Sequence, residues 1–202
     1  MEKVRTAVLV SGGGTNLQAL IDSSAAGEMP GVLLELVVSN RPGAYALERA
    51  EKAGIPHAFI PNGPDFEEEL IRLLDEKGVE LIVLAGFLRI LSADFIRLYE
   101  GRIINVHPSL IPSFCGKGFY GLRVHEAALS RGVKVTGTTV HIVTEEADAG
   151  PILLQKPVPV LEGDTPELLQ RRVMEQAEWK LLPAACEMTA ENILASRETS
   201  ND

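Results

Sequence analysis

Long apolar runs are missing from this chain. No stretch approaches the ~20 residues a membrane-spanning helix needs, so no membrane segment is expected. Cysteine is scarce too. Cys115 and Cys186 form neither a disulfide framework nor a zinc-type spacing, and no signal pattern precedes them. The expected compartment is therefore the reducing cytoplasm. Positive charge is thin: 19 Lys and Arg stand against 28 Asp and Glu, a formal net charge of −9, with no basic run. That balance argues against extended nucleic-acid or anionic-membrane binding, while a small anion still fits a local site. Repeats and low-complexity segments are also lacking. What remains is 202 residues, 46% hydrophobic and 23% charged, enough to bury a sizeable core. With no linker or composition shift, the expectation is one domain over residues 1–190 and a flexible tail over 191–202.

Strand and helix signals alternate. Thr6–Val10 reads as a buried strand broken by Ser11-Gly12-Gly13-Gly14-Thr15-Asn16, and Leu17–Ala25 as a helix. Strands at Val32–Val38, Ala58–Ile60, Leu81–Ala85 and Ile103–His107 are separated by helical segments. The helix between Asp65 and Lys77 carries Phe66, Leu70, Leu73 and Leu74 on one face. This alternation predicts an α/β fold, a doubly wound and mostly parallel sheet through about residue 107. Beyond it, Val135–Val143 and Ile152–Val160 are spaced for an antiparallel hairpin. Thr165-Pro166 opens a carboxyl-terminal helix that Pro183 should bend or end.

Three places carry candidate chemistry. Asn105 and His107 lie two apart at the carboxyl end of a short strand stopped by Pro108, so both point to one side. That end is where open α/β sheets hold their ligands; the plainer alternative is a pair of polar groups tying down the following loop. The glycine loop precedes a helix whose amides and dipole favour an anion, with Thr15 and Asn16 as further donors. It is not a Walker loop, and a tight turn is the alternative. Asp148, between Ala147 and Ala149, is either a solvated acid or a carboxylate held against another group. Histidines 107, 125 and 141 match no metal motif, so no metal is expected. His141 reads as a hydrogen-bonded structural histidine, and His125 as a surface or capping group.

Together, Asn105-x-His107-Pro108-Ser109-Leu110, the Asp148-Ala149-Gly150-Pro151 loop and Ala85-Gly86-Phe87-Leu88-Arg89-Ile90-Leu91 resemble the folate-dependent formyltransferases. The opening Ser11-to-Gln18 stretch and the length are similar to the members that act on glycinamide ribonucleotide. The resemblance runs from about Val4 to Leu182. It implies a Rossmann-like formyltransferase fold, 10-formyltetrahydrofolate as co-substrate and glycinamide ribonucleotide as acceptor, in de novo purine biosynthesis. It implies Asn105 and His107 as catalytic residues and Asp148 as the acid that raises the histidine pKa above its usual ~6.5. Gly14, Thr15 and Asn16 would hold the ribonucleotide phosphate and Glu178 its glycinamide end, with a solvated helix position as the alternative for Glu178. Leu88, Arg89, Ile90, Leu91 and Asn105 would line the folate pocket. The partners are then small molecules, and the enzyme a monomer or homodimer.

The chain departs from that pattern twice. Pro61-Asn62-Gly63-Pro64-Asp65-Phe66-Glu67 is short and lacks the arginine that often helps bind folate. Phe114-Cys115-Gly116-Lys117-Gly118-Phe119-Tyr120-Gly121 is longer than usual, and its glycine spacing suits a mobile flap. Rival readings are a formyltetrahydrofolate deformylase, a methionyl-tRNA formyltransferase, which should carry a basic carboxyl-terminal domain, and a non-catalytic nucleotide-binding module.

Overall fold

The apolar strands assemble one seven-stranded sheet in a computed structural model that describes residues 2–200. In chain order the strands are β1 (Val4–Val10), β2 (Val32–Ser39), β3 (His57–Phe59), β4 (Leu81–Leu84), β5 (Ile103–His107), β6 (Val135–Ile142) and β7 (Ile152–Pro159). Their spatial order is β3-β2-β1-β4-β5-β6-β7; pairings from β3 to β5 are parallel, and β5–β6 and β6–β7 are antiparallel. This is the doubly wound sheet with an antiparallel hairpin that the alternation predicts.

Helices cover both faces, so the central strands are buried throughout rather than alternating with polar residues. In β1, Val8 and Val10 enter one core with Leu17 and Leu20 of α1 (Thr15–Ala25). Ala7 and Leu9 enter the opposite core, with Phe66, Leu70 and Leu74 of α3 (Phe66–Glu76). Burying each such Leu or Phe stabilises the fold by about 1.5–3 kcal/mol. The remaining helices are α2 (Tyr45–Lys52), α4 (Ala93–Leu98), α5 (Leu122–Arg131), α6 (Pro166–Val173) and α7 (Trp179–Ser200). Thr165 caps α6 by accepting from Leu168 N–H, with Pro166 in the first turn. Between α6 and α7 the backbone widens into a π-helical turn, Met174–Glu178.

One expectation needs correction, and another narrows. Residues 191–200 form no loose tail: they continue α7 through Ser200. Ile193 and Leu194 pack against the core, and Arg197 pairs with Glu80 and, at 3.0 Å, with Glu2. Residues 201 and 202 lie outside the described residues. Of the two outcomes expected at Pro183, bending or ending the helix, ending is excluded: α7 continues past it to Ser200.

The order 3-2-1-4-5 reverses direction between β1 and β4, which opens a crevice at the strands' carboxyl ends. Ser11, just past β1, donates to Asn40 Oδ1 (2.6 Å) and accepts from Leu88 N–H (2.9 Å). One hydroxyl thus ties together the chain segments after β1, β2 and β4.

Candidate active site

β5 emerges into this crevice. Asn105 and His107 point the same way, into a cavity of about 550 Å3 that Asp148 also lines. Asp148 arrives from the β6–β7 connection with a left-handed backbone (φ 56), which Asp tolerates better than most residues. Its Oδ2 stands 3.6 Å from His107 Nδ1 and accepts the Gly116 N–H at 2.7 Å. The inferred meeting of Asp148 with His107 is therefore present in the geometry.

His107 Nε2 donates to the Phe114 carbonyl at 2.9 Å, which leaves Nδ1, on the Asp148 side, as the nitrogen that gains the second proton. The direction of its pKa departs from expectation. Burial lowers it below the ordinary 6.5, and the Asp148 charge and the Phe114 bond raise it by less than burial takes away. Asp148 thus favours the imidazolium without carrying it past the usual value. For Asp148 itself, burial pushes upward, but His141, His107 and the Gly116 N–H together hold it below the ordinary carboxylate range.

His141 belongs to this cluster, beyond the structural role expected of it. It faces Asn105 across the β5–β6 pairing. Its Nδ1–H donates to the Ile142 carbonyl (2.9 Å), and its Nε2 stands 3.2 Å from the Asn105 amide nitrogen and 3.5 Å from Asp148 Oδ1. These contacts hold the Asn105 amide beside Asp148 at the cavity. Only the antiparallel register could have exposed this partnership. His125 also departs from expectation: it is fully buried, and neither ring nitrogen has a partner among the described residues. Burial, with the nearby His107 charge, lowers its pKa to about 4.

The expected acceptor-binding residues separate. Asn16 lines the cavity and donates to Glu178 Oε2 at 2.9 Å. Glu178 is not solvated: only 6% exposed, its carboxyl is pushed up to about 7 by burial, with the Asn16 bond opposing. Gln170 and Met174 precede it along the same wall. Thr15 instead faces a second cavity of about 390 Å3 with Gln18, Arg49 and Trp179. Gly14 lines neither cavity, but its φ of 72 and its contact with Ala46 exclude a side chain; a Cβ there would lie 2.6 Å from Ala46 Cβ. No side chain caps α1, so its first amides remain available to an anion.

On the opposite wall Leu88, Arg89 and Ile90 line the main cavity, while Leu91 turns into the core. The Arg89 guanidinium lies over the Phe66 ring, 4.4 Å from its centre, and reaches Asn62 Oδ1 and the Gly63 carbonyl through long contacts of 3.4 Å. Gly116 to Gly121 close the remaining side, with Phe119 edge-on to Phe114. Among the described residues no cluster of three or more His, Cys, Asp or Glu is arranged to hold a metal ion. No helix among them is long and apolar enough to cross a membrane.

Known proteins share this architecture. A family described as "Formyl transferase" matches residues 4–186. The chain is 40% identical over 198 residues to the phosphoribosylglycinamide formyltransferase of Escherichia coli, covering 96% of this chain and 90% of that protein. It is 49% identical over 195 residues to the trifunctional purine biosynthetic protein adenosine-3 of Gallus gallus, covering 93% of this chain but spanning only 18% of that relative's length. Among solved structures, glycinamide ribonucleotide transformylase 1 from Symbiobacterium toebii superposes with a TM-score of 0.86 at 42% identity, covering 94% of this chain and 89% of that one. A formyltetrahydrofolate deformylase from Pseudomonas syringae superposes at 0.85 with 30% identity, covering 95% of this chain and 62% of that one.

Proposed function

Because the chain belongs to the formyl transferase family, we propose that it moves the formyl group of 10-formyltetrahydrofolate to the glycine amine of glycinamide ribonucleotide. The observation that carries this reading is the convergence of Asn105, His107 and Asp148 on one cavity. The cavity has a buried carboxyl at one wall, Glu178, and an apolar-cationic segment, Leu88 to Ile90, at the other.

The chemistry follows from those groups. The ribonucleotide's neutral amine attacks the formyl carbon, forming the new C–N bond and placing negative charge on the formyl oxygen. The Asn105 amide and an imidazolium at His107 donate to that oxygen, worth about 3–4 kcal/mol for a well-placed donor. Both His107 nitrogens are already engaged, so a substrate oxygen must replace one contact. The Phe114 carbonyl is the one to yield: Phe114 holds a left-handed backbone (φ 50), costly for a bulky residue. Asp148 meanwhile stabilises the imidazolium. Collapse of the adduct breaks the bond to the folate nitrogen, and the proton lost by the amine ends on that nitrogen. No covalent enzyme intermediate is required.

In this reading the α1 amino terminus and Asn16 receive the phosphate end and Glu178 the glycinamide end. The enzyme works in the cytoplasm on small molecules, without metal or nucleic acid, as a monomer or homodimer. A formyl-transfer assay with the ribonucleotide as acceptor tests it. Transfer should depend on the ribonucleotide and fall about a hundredfold or more in His107→Asn. Formate release that ignores the ribonucleotide would instead make the enzyme a deformylase.

A further inference from the structure

We propose that Arg49, on α2, is a positioning residue for the acceptor's phosphate: it holds the glycine loop in the shape that aims its backbone N–H groups at an anion. This rests on the reading above in which the α1 amino terminus receives the phosphate end of the ribonucleotide. The loop Ser11-Gly12-Gly13-Gly14 has no side chain beyond Ser11 to fix it, and Ser11 is engaged by Asn40 and Leu88. Its shape is imposed from outside, and α2 does so at two successive peptides. Ala46 N–H donates to the Gly12 carbonyl at 3.1 Å, and Arg49 Nε donates to the Gly13 carbonyl at 2.8 Å.

A trans peptide points its C=O and N–H in opposite directions. Each carbonyl drawn onto α2 therefore turns the N–H of the next residue, Gly13 or Gly14, away from that helix. Neither N–H has a partner among the described residues, and both lead into the uncapped first amides of α1. Gly14 is left-handed and Thr15 already helical, the alternation that gathers successive N–H groups around an anion. Arg49 is itself fixed. Its Nη1 donates to Gln18 Oε1 at 2.8 Å, and its guanidinium lies over the Tyr45 ring, 4.8 Å from the centre. Gln18 belongs to α1, so one planar fork sets the loop against the helix it opens. The guanidinium sits on the carbonyl side of the Gly13–Gly14 peptide, opposite the N–H it orients.

Steady-state kinetics of the parent, Arg49→Ala and Arg49→Lys test this, with the ribonucleotide and with the matching ribonucleoside that lacks the phosphate. In Arg49→Ala the Michaelis constant for the ribonucleotide should rise about tenfold, with little change in kcat or in the folate Michaelis constant. The preference in kcat/KM for ribonucleotide over ribonucleoside should fall by the same factor. Arg49→Lys should recover part of the loss, since an ammonium can reach one of the two oxygens but lacks the fork that binds both. In the ligand-free enzyme the Gly14 amide resonance should already differ between Arg49→Ala and the parent. Equal losses with both acceptors would assign Arg49 to overall structure, and an unchanged preference would remove it from the phosphate site; either overturns the proposal. Weakened ribonucleotide binding with an unmoved Gly14 resonance would make Arg49 a direct phosphate ligand and overturn it as well. A parent that uses ribonucleotide and ribonucleoside alike would defeat the phosphate reading of the loop itself, and the proposal with it.

Discussion

Oδ2 of Asp148 stands 3.6 Å from Nδ1 of His107, near enough to bias the ring's protonation. Because burial outweighs that bias, His107 should titrate below 6.5 in the free enzyme. Removing the carboxylate charge in Asp148→Asn should lower the value further and carry the alkaline limb of the rate profile with it. Following the imidazole carbon-bound protons by NMR across pH 4–9, roughly spanning the reference value, reads this directly. An Asp148→Asn spectrum that titrates like the parent would break the coupling. In stability terms, a histidine with a depressed folded value contributes fully above 6.5. The contribution is lost as pH falls toward the folded value, because the unfolded chain binds the proton first.

The same sign, in a larger amount, holds for His125, whose folded value is about 4. Between pH 6.5 and about 4 the parent should lose on the order of 3 kcal/mol through this group alone. In His125→Phe that part of the acid sensitivity should vanish. Urea midpoints at near-neutral and acid pH, compared between the two proteins, provide the check. A variant that loses as much stability on acidification as the parent would refute it.

Glu178 has the opposite sign. Its carboxyl is raised to about 7, so its contribution is complete below the ordinary value of 4.5 and disappears as pH rises through about 7. Glu178→Gln keeps an oxygen to accept from Asn16 but cannot ionise. The variant should match the parent's melting temperature in acid and exceed it at alkaline pH. It should also raise the ribonucleotide Michaelis constant more than the folate one. Parallel melting curves at both pH values would mean that Glu178 ionises freely in the folded enzyme.

How much of this was legible in the residues varies with the range of the physics involved. β5 was readable to its ends because Ile103, Ile104 and Val106 are apolar and Pro108 stops the strand. The parallel sheet followed from alternation alone. His141 was not recognisable as a site residue, because its nearness to Asn105 exists only in the β5–β6 register. His125 read as a surface group because a lone polar residue on a helix gives no sign of what will cover it. Thr15 and Asn16 were grouped as neighbours, but consecutive helical residues point about 100° apart, so only one faces the main cavity. The tail was misjudged because polar residues near the terminus concealed Ile193, Leu194 and the anchoring Arg197.

The wide turn at Met174–Glu178 makes residue count, rather than residue type, decide what this wall presents. Gln170, Met174 and Glu178 are spaced by fours and all face the cavity. On an uninterrupted α-helix, eight residues would carry Glu178 about 80° past Gln170; the wider turn takes back part of that drift. Deleting one residue here would let ordinary α-bonding close the turn and leave the helix beyond nearly in place, because the wide turn already takes up one residue's rotation of about 100°. Leu182 and Cys186 would stay buried against the sheet, and the shift would fall on the residues of the turn itself. The cavity wall can therefore change by one residue at this turn without unseating the last helix.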